Sequence, residues 1–341
     1  MTVVSASSPV DLDYGPMKMT TTKTEGTLVF SDSPEYAAEE GILGEGTISG
    51  EGRIYYYHVN SLYPGAHLVV YGTSDHTAAV TVTDTVRGDP SRGYLDTGRT
   101  LSFRDAVGLG DRKAKDKVLP PKRRTILFED NPDGIALDDL VSGFVDVETK
   151  GPVRFGTAII KNGGDLEGRL QTLPVLEADS HEMRGTFPQE IYMTNDTVWN
   201  TDHDGPADIK LGDGDRDPSY KGMDELSGVV RENTGNFGME YIITVRTAGT
   251  RDFDMYINPM GGAFLATFFV RQDGIPRIYR TDEKDRWFGN DDYEAWMPVG
   301  TWRAGRNLTI DITIPGAAYL PVRFLLVPRE SNGAERKEEA K

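Results

Sequence analysis

The stretch LTIDITIPGAAYLPVRFLL at 308–326 decides the fold class. Leu308, Ile310, Ile312 and Ile314 alternate with polar neighbours, and Val322, Phe324 and Leu326 repeat that period after the Pro315-Gly316 turn. Side chains alternate across a strand, so an apolar residue at every second position marks a strand with one face in a core. Further short runs of this kind stand at 27–30, 54–59, 67–71, 79–83, 122–128, 140–147, 153–160, 241–245, 264–270 and 276–280. Gly, Pro, Asn or Asp separate them at intervals of roughly 8–15 residues, the punctuation of antiparallel sandwiches or barrels rather than of βαβ units. Helical patterning is confined to a turn or two at 35–40 and 102–107.

A chain of 341 residues suits two domains, each of about 150 residues. The acidic, polar segment LPVLEADSH at 173–181 is the natural boundary. The expectation is an all-β protein with two antiparallel β-sandwich domains (Ig-like or jelly-roll) in tandem. A flexible N-terminal arm occupies 1–24, the sandwiches occupy 25–178 and 179–328, and a disordered tail occupies 329–341.

Composition excludes several functions. Acidic residues number 54 against 37 basic, a net charge of −17, which repels phosphate backbones and argues against a nucleic-acid partner. The apolar runs are a few residues long, far short of the ~20 that span a bilayer, so no membrane span is expected. With no cysteine, disulfide frameworks, thiolate metal sites and thiol nucleophiles are excluded. The first 24 residues carry neither a charged n-region nor an apolar h-region and do not read as a signal peptide.

SDSPEY and GIL (31–36, 41–43), IYYYHVN (54–60), GPVRFGTAI (151–159), HEMRGTF (181–187), NTGNFGMEYIITV (233–245), INPMGGAF (257–264) and LPVRFLL (320–326) form a further pattern. Together they resemble a secreted β-rich ectodomain of Gram-positive (Firmicutes) bacteria, a family of unassigned function. It is often labelled through an adjacent copper-amine-oxidase N-terminal-like stalk domain. The resemblance covers most of 25–328 and implies an extracellular or cell-surface location, with no catalytic residue to carry over. Within IYYYHVN, Tyr55, Tyr56 and Tyr57 cannot all face one core, so at least one is expected to point outward.

The acid excess is thickest at LGDGDRDPSYKGMD (211–224), with Asp202, Asp204 and Asp208 just upstream. Asp213, Asp215 and Asp217 alternate, and Asp224 falls at the twelfth position of an EF-hand-like frame, a density of hard oxygen ligands that suits Ca²⁺. Pro218 stands where such a frame has glycine. The bland alternative is an Asp/Gly loop whose carboxylates satisfy their own backbone N–H groups. A second acidic loop at 282–294 is a sparser version. A hairpin turning through 61–65 would set His58 opposite His67, a pair able to share a metal.

Trp287, Trp296 and Trp302 cluster near that second loop as candidate rings for stacking on sugar faces, with core packing as the alternative. Arg112, Lys113, Lys115, Lys117, Lys122, Arg123 and Arg124 form a basic island able to meet an acidic partner, or a solvated hairpin. No nucleophile elbow, H-E-x-x-H, Walker loop or G-x-G-x-x-G is present. The expectation is therefore a non-catalytic extracellular structural protein, self-assembling through its arm and strand edges or bound to a cell-wall polymer. The alternatives are a carbohydrate-binding module with structural calcium and a polysaccharide hydrolase.

Overall fold

Two long strands, Gly41–Asn60 and Leu140–Lys161, form the spine of the computed structural model, which describes residues 8–281 and 284–330. They pair antiparallel from Leu140 opposite Val59 to Ile159 opposite Gly41. The other flank of Leu140–Lys161 is divided between two neighbours. Its first half pairs with Ala78–Arg87 and its second with Ala66–Thr73. A register shift between Thr149 and Val153 marks the change of neighbour.

Toward its ends the spine is buried on both faces. Tyr55 and Tyr57 enter one core beside Phe30 and Phe144, while Tyr56 enters another with Val70, Val145 and Phe155. The alternation predicted for the three tyrosines holds, but the outward-facing ring does not exist: they are 0%, 0% and 6% exposed. Glycines on the partner strand make room for these rings. Gly143 lies opposite Tyr56 and Gly156 opposite Tyr71. A Cβ on Gly143 would sit 2.2 Å from Tyr56 Oη and 2.7 Å from the Val86 carbonyl oxygen.

The same pairing removes the expected His58–His67 hairpin. Leu140–Lys161 lies between the strands that carry them, so His58 pairs with Val141 and His67 with Ile160. His58 is fully buried, donates from Nδ1 to the Pro34 carbonyl at 2.8 Å and accepts the Ser31 hydroxyl at Nε2 at 2.8 Å. Burial lowers its pKa to about 4, so the ring is neutral.

Two further sheets close on a second interior. One orders Met19–Glu25, Glu190–Asn195, Glu240–Val245, Leu308–Thr313, Thr267–Gln272 and Ile275–Arg280. The other orders Gly15–Pro16, Ala207–Leu211, Val322–Pro328, Phe253–Asn258 and Met297–Trp302. Tyr241, Ile243, Ile310 and Phe268 from the first meet Ile209, Met255, Phe324 and Leu326 from the second in one core. The stretch at 308–326 is therefore split between layers, and 315–321 crosses from one to the other instead of closing a hairpin. The fold is all-β, with parallel as well as antiparallel pairs: Leu28–Ser31 runs parallel to the spine and Glu190–Asn195 parallel to Glu240–Val245. The principal helix is Tyr94–Ala106; 35–40 contributes a short strand, Tyr36–Ala37, instead of a helical turn.

Two sequence expectations are corrected. The segment 1–24 is not a free arm over its described part, because Gly15–Pro16 pairs with 207–208 and Met19–Glu25 with Glu190–Asn195. Its threonines suit a strand, but all but Met19 are exposed, so no apolar alternation announced it. Residues 1–7 and 331–341, the start of the arm and most of the tail, lie outside the described residues. Nor does the chain divide cleanly at 178. Arg184–Phe187 pairs with Leu28–Ser31, and Tyr220–Asp224 and Val229–Asn233 extend the same sheet. Arg184 fastens this edge: Nε donates to Asp224 at 2.9 Å and Nη1 to the Leu176 carbonyl at 2.9 Å, and the residue is 3% exposed. A buried guanidinium needs such a full set of acceptors, and edge pairing of this kind leaves no trace in local periodicity.

The spine predicts its own weak point. Gly143→Ala should lose about 1–3 kcal/mol in urea denaturation, because overpacking forces the tyrosine or the backbone to move. Gly151→Ala, whose Cβ meets nothing within 4 Å, should stay within about 0.5 kcal/mol of the parent.

Candidate functional site

A cleft of about 500 Å³ opens where loops from both halves of the chain meet. Its floor comes from the loop that leaves Leu28–Ser31 and carries Asp32, Glu35 and Tyr36, with Tyr57 of the spine beneath. One wall is the N-terminus of the helix Tyr94–Ala106, with Arg92 and Tyr94. The opposite walls are Arg286, Trp287 and Asn290 on one loop and 316–319, ending in Tyr319, on the interlayer crossing. Met183 and Phe237 complete the lining.

Close packing fixes the crossing loop over the floor. The Gly316 N–H donates to Tyr55 Oη at 2.7 Å, and a Cβ at Gly316 would fall 2.4 Å from the Tyr57 ring. Glycine is required there by approach alone. Tyr94 donates to Tyr36 Oη at 3.3 Å across the cleft. Tyr36, Trp287 and Tyr319 are 54%, 52% and 61% exposed, with the Arg286 guanidinium over one face of Trp287.

The floor is acidic. Asp32 is 7% exposed, and its Oδ1 has no hydrogen-bond partner. Burial, then the charges of Glu35 and Asp179, push its carboxyl well above the ordinary aspartate range. Burial also raises Glu35, against the pull of His181, whose Nδ1 lies 4.0 Å away. Asp179 goes the other way. Burial opposes its ionisation, but the N–H groups of Glu35, His181 and Glu182 and the Ser33 hydroxyl hold the carboxyl below its usual value. Asp32 is thus a buried carboxyl with an unpartnered oxygen among the residues lining the cleft, an exception that calls for a functional or structural cause.

A smaller polar cavity of about 210 Å³ lies beside Arg53. There Arg53 already donates to Asp146 at 2.6 Å and to Asp105 at 3.1 Å, and burial pushes Glu240 up to about 7. Its charges largely close on one another.

Of the residues marked in the sequence, only Trp287 lies in the cleft. Trp296 is 40% exposed elsewhere, edge-on to Tyr256 at 5.3 Å. Trp302 is 2% exposed and packs in the core under Arg277, which corrects its reading as a stacking ring. Residues 282–283 of the second acidic loop lie outside the described residues.

The four aspartates of the calcium frame do not converge. Asp213 Oδ1 accepts the backbone N–H groups of Asp215, Arg216 and Asp217. Asp217 turns inward to accept Tyr241 Oη at 2.6 Å and the Gly212 N–H at 2.7 Å. Asp224 is engaged by Arg184 and by the Ser227 hydroxyl at 2.6 Å, while Asp215 is exposed. Among the described residues no group of three or more His, Cys, Asp or Glu is arranged to hold a metal ion.

The basic island spans the edge strand Lys115–Leu119 and its flanks. Arg112 pairs with Asp84 at 3.2 Å, Lys115 with Asp111 at 2.9 Å and Arg123 with Glu167 at 3.8 Å. Arg124 donates to the Leu170 carbonyl and lies over the Tyr71 ring. Lys113, Lys117 and Lys122 are exposed. Much of the positive charge is thus matched locally.

Sequence reasoning missed Asp32, Glu35, Tyr36, Arg92, Tyr94 and Tyr319. The available signal was SDSPEY at 31–36, a compact run of acids, proline and tyrosine between two short apolar segments.

No family model matches the chain, and no curated protein matches it. Among solved structures it is similar to the CUB1-EGF-CUB2 domains of rat MASP-1, at 6% identity over 88% of this chain and 99% of that one, TM-score 0.21. It is also similar to the tandem CBM51 modules of a family 98 glycoside hydrolase from Streptococcus pneumoniae, at 10% identity over 94% and 98%, TM-score 0.21. No helix among the described residues is long and apolar enough to cross a membrane.

Two outcomes follow from the carboxylates. An acid whose pKa is raised on folding weakens the fold once pH exceeds its unfolded pKa, here about 3.9. Asp32→Asn should therefore melt higher than the parent at pH 7, with the gap closing as pH falls toward 4. Because protein donors already occupy Asp213, Asp217 and Asp224, EGTA and excess Ca²⁺ should leave the melting temperature unchanged; a ligand-linked rise with Ca²⁺ would contradict that geometry.

Proposed function

We propose that this chain is a non-catalytic saccharide-binding β protein that works outside the cytoplasm, with the cleft around Trp287 as its binding site. The carrying observation is that the exposed aromatic residues Tyr36, Trp287 and Tyr319 and the buried acid Asp32 line one cavity of about 500 Å³. Aromatic faces take the apolar C–H face of a sugar ring, and a few convergent polar groups read its hydroxyls. The external location is supported by the resemblance of the motifs at 31–36, 54–60 and 233–245 to secreted ectodomains.

Self-association through a donated arm has less support. Met19–Glu25 already completes its own sheet against Glu190–Asn195, so donation would first have to break that pairing. Deleting residues 1–25 is expected to lower the melting temperature, not to dissolve an assembly.

The test is titration of the full chain with soluble oligosaccharides from several polysaccharide classes, followed by pull-down on the insoluble polymers. Trp287→Ala and Tyr319→Ala should each weaken binding by up to about tenfold, the equivalent of ~1.4 kcal/mol. Trp296→Ala should leave it unchanged. Binding that survives Trp287→Ala and Tyr319→Ala together would remove the cleft from the proposal.

A further inference from the structure

Asp32 and Glu35 bring two carboxyls to the floor of the cleft with no lysine or arginine paired to either among the described residues. Burial and the nearby charges of Glu35 and Asp179 raise the Asp32 carboxyl, and burial and Asp179 raise Glu35. Among the described residues none of the three forms an ion pair with lysine or arginine; His181 lies 4.0 Å from Glu35, and the neutral His58 is near Asp179. The two arginines of the cleft are committed elsewhere. Arg92 donates to the Leu137 carbonyl at 3.0 Å and lies 3.6 Å from Asp138. Arg286 lies 3.3 Å from Asp96 and over the Trp287 ring.

Asp179 has its oxygens taken up by N–H and O–H donors, but Asp32 Oδ1 has nothing. A buried acceptor with no donor costs free energy that a bound group can recover. Tyr36, Tyr57, Tyr94 and Trp287 line the same cleft. Aromatic rings sharing a cleft with an unpartnered carboxyl are complementary to a cation, because the ring quadrupole attracts positive charge and an acid that ionises against it supplies the counter-charge. A uronic acid or a phosphate would meet repulsion at the same floor. A neutral hydroxyl could fill the vacant hydrogen bond but would leave the mutual repulsion of the acids as it was.

We propose that the group reaching the floor of the cleft is a protonated amine, so that the saccharide class is an amino sugar with a free amino group. This rests on the saccharide-binding reading and narrows it. The ring of the sugar lies against Trp287 and Tyr319 at the mouth, and its ammonium donates to Asp32 Oδ1 with Glu35 beside it.

The experiment compares three probes by calorimetric titration of the full chain at a pH that keeps the amine protonated. They are a short deacetylated glucosamine oligomer, the N-acetylated oligomer of equal length, and tetramethylammonium. The expected result is at least tenfold tighter binding of the deacetylated form. Asp32→Asn and Glu35→Gln should each erase most of that preference in a folded protein, whereas Asp215→Asn, an exposed acid elsewhere, should keep it. The last variant guards against general attraction of a cation to a chain of net charge −17. Equal affinity for the two oligomers, or a preference that survives Asp32→Asn and Glu35→Gln, overturns the amine assignment and leaves saccharide binding standing. Tetramethylammonium bound with neither oligomer bound overturns saccharide binding and keeps the cation site. No binding of any probe overturns both.

Discussion

The ladder between Gly41–Asn60 and Leu140–Lys161 is the constraint on which the rest of the structure depends. Both strands are long enough to pass from one core into another. Their alternating side chains must therefore satisfy an interior on each face, and few positions remain for polar residues. Glycines at 143 and 156 are part of that solution, since each lies under a tyrosine of the neighbouring strand. Once the spine is set, Ala66–Thr73 and Ala78–Arg87 have only one edge to occupy, and they share it end to end.

The spine also explains where the cleft lies. Tyr55 and Tyr57 leave its face toward the second interior and support the loop that crosses between the two smaller sheets. Leu28–Ser31, parallel to the spine, delivers Asp32 and Glu35 to the same end. The acids are thus placed by the first half of the chain and the rings of Trp287 and Tyr319 by the second. The continuity of the core holds the two sets in register. A site assembled this way can keep an acid buried and unpaired because the surrounding packing, not the acid, supplies the stability.

Much of the fold was legible because strands write their burial into a period of two. Leu308, Ile310 and Ile312 are buried as their alternation requires, and so are Tyr241 and Ile243. Met19–Glu25 was not legible, because an edge strand exposed on both faces has no apolar period to show. The histidine pair failed for a different reason. A loop at 61–65 between two strand-like runs reads as a hairpin, but nothing local reveals that a strand eighty residues on will enter between them. In the site, Trp287 was visible by its residue type, whereas Trp302 looked the same and is core. Residue type gives a ring; only packing says which way it faces.

By itself the sequence determined the all-β class and the positions of most strands, since local alternation and turn residues are short-range properties of the chain. Tertiary structure decided which strands are neighbours, that the first residues described complete a distant sheet, and that Asp213, Asp217 and Asp224 turn to separate donors. It also decided that Asp32, Tyr57, Tyr94, Trp287 and Tyr319 meet around one cavity. The physical reason is common to all of these. Pairing and convergence depend on residues far apart in the chain, and their free energy is realised only when both interiors close.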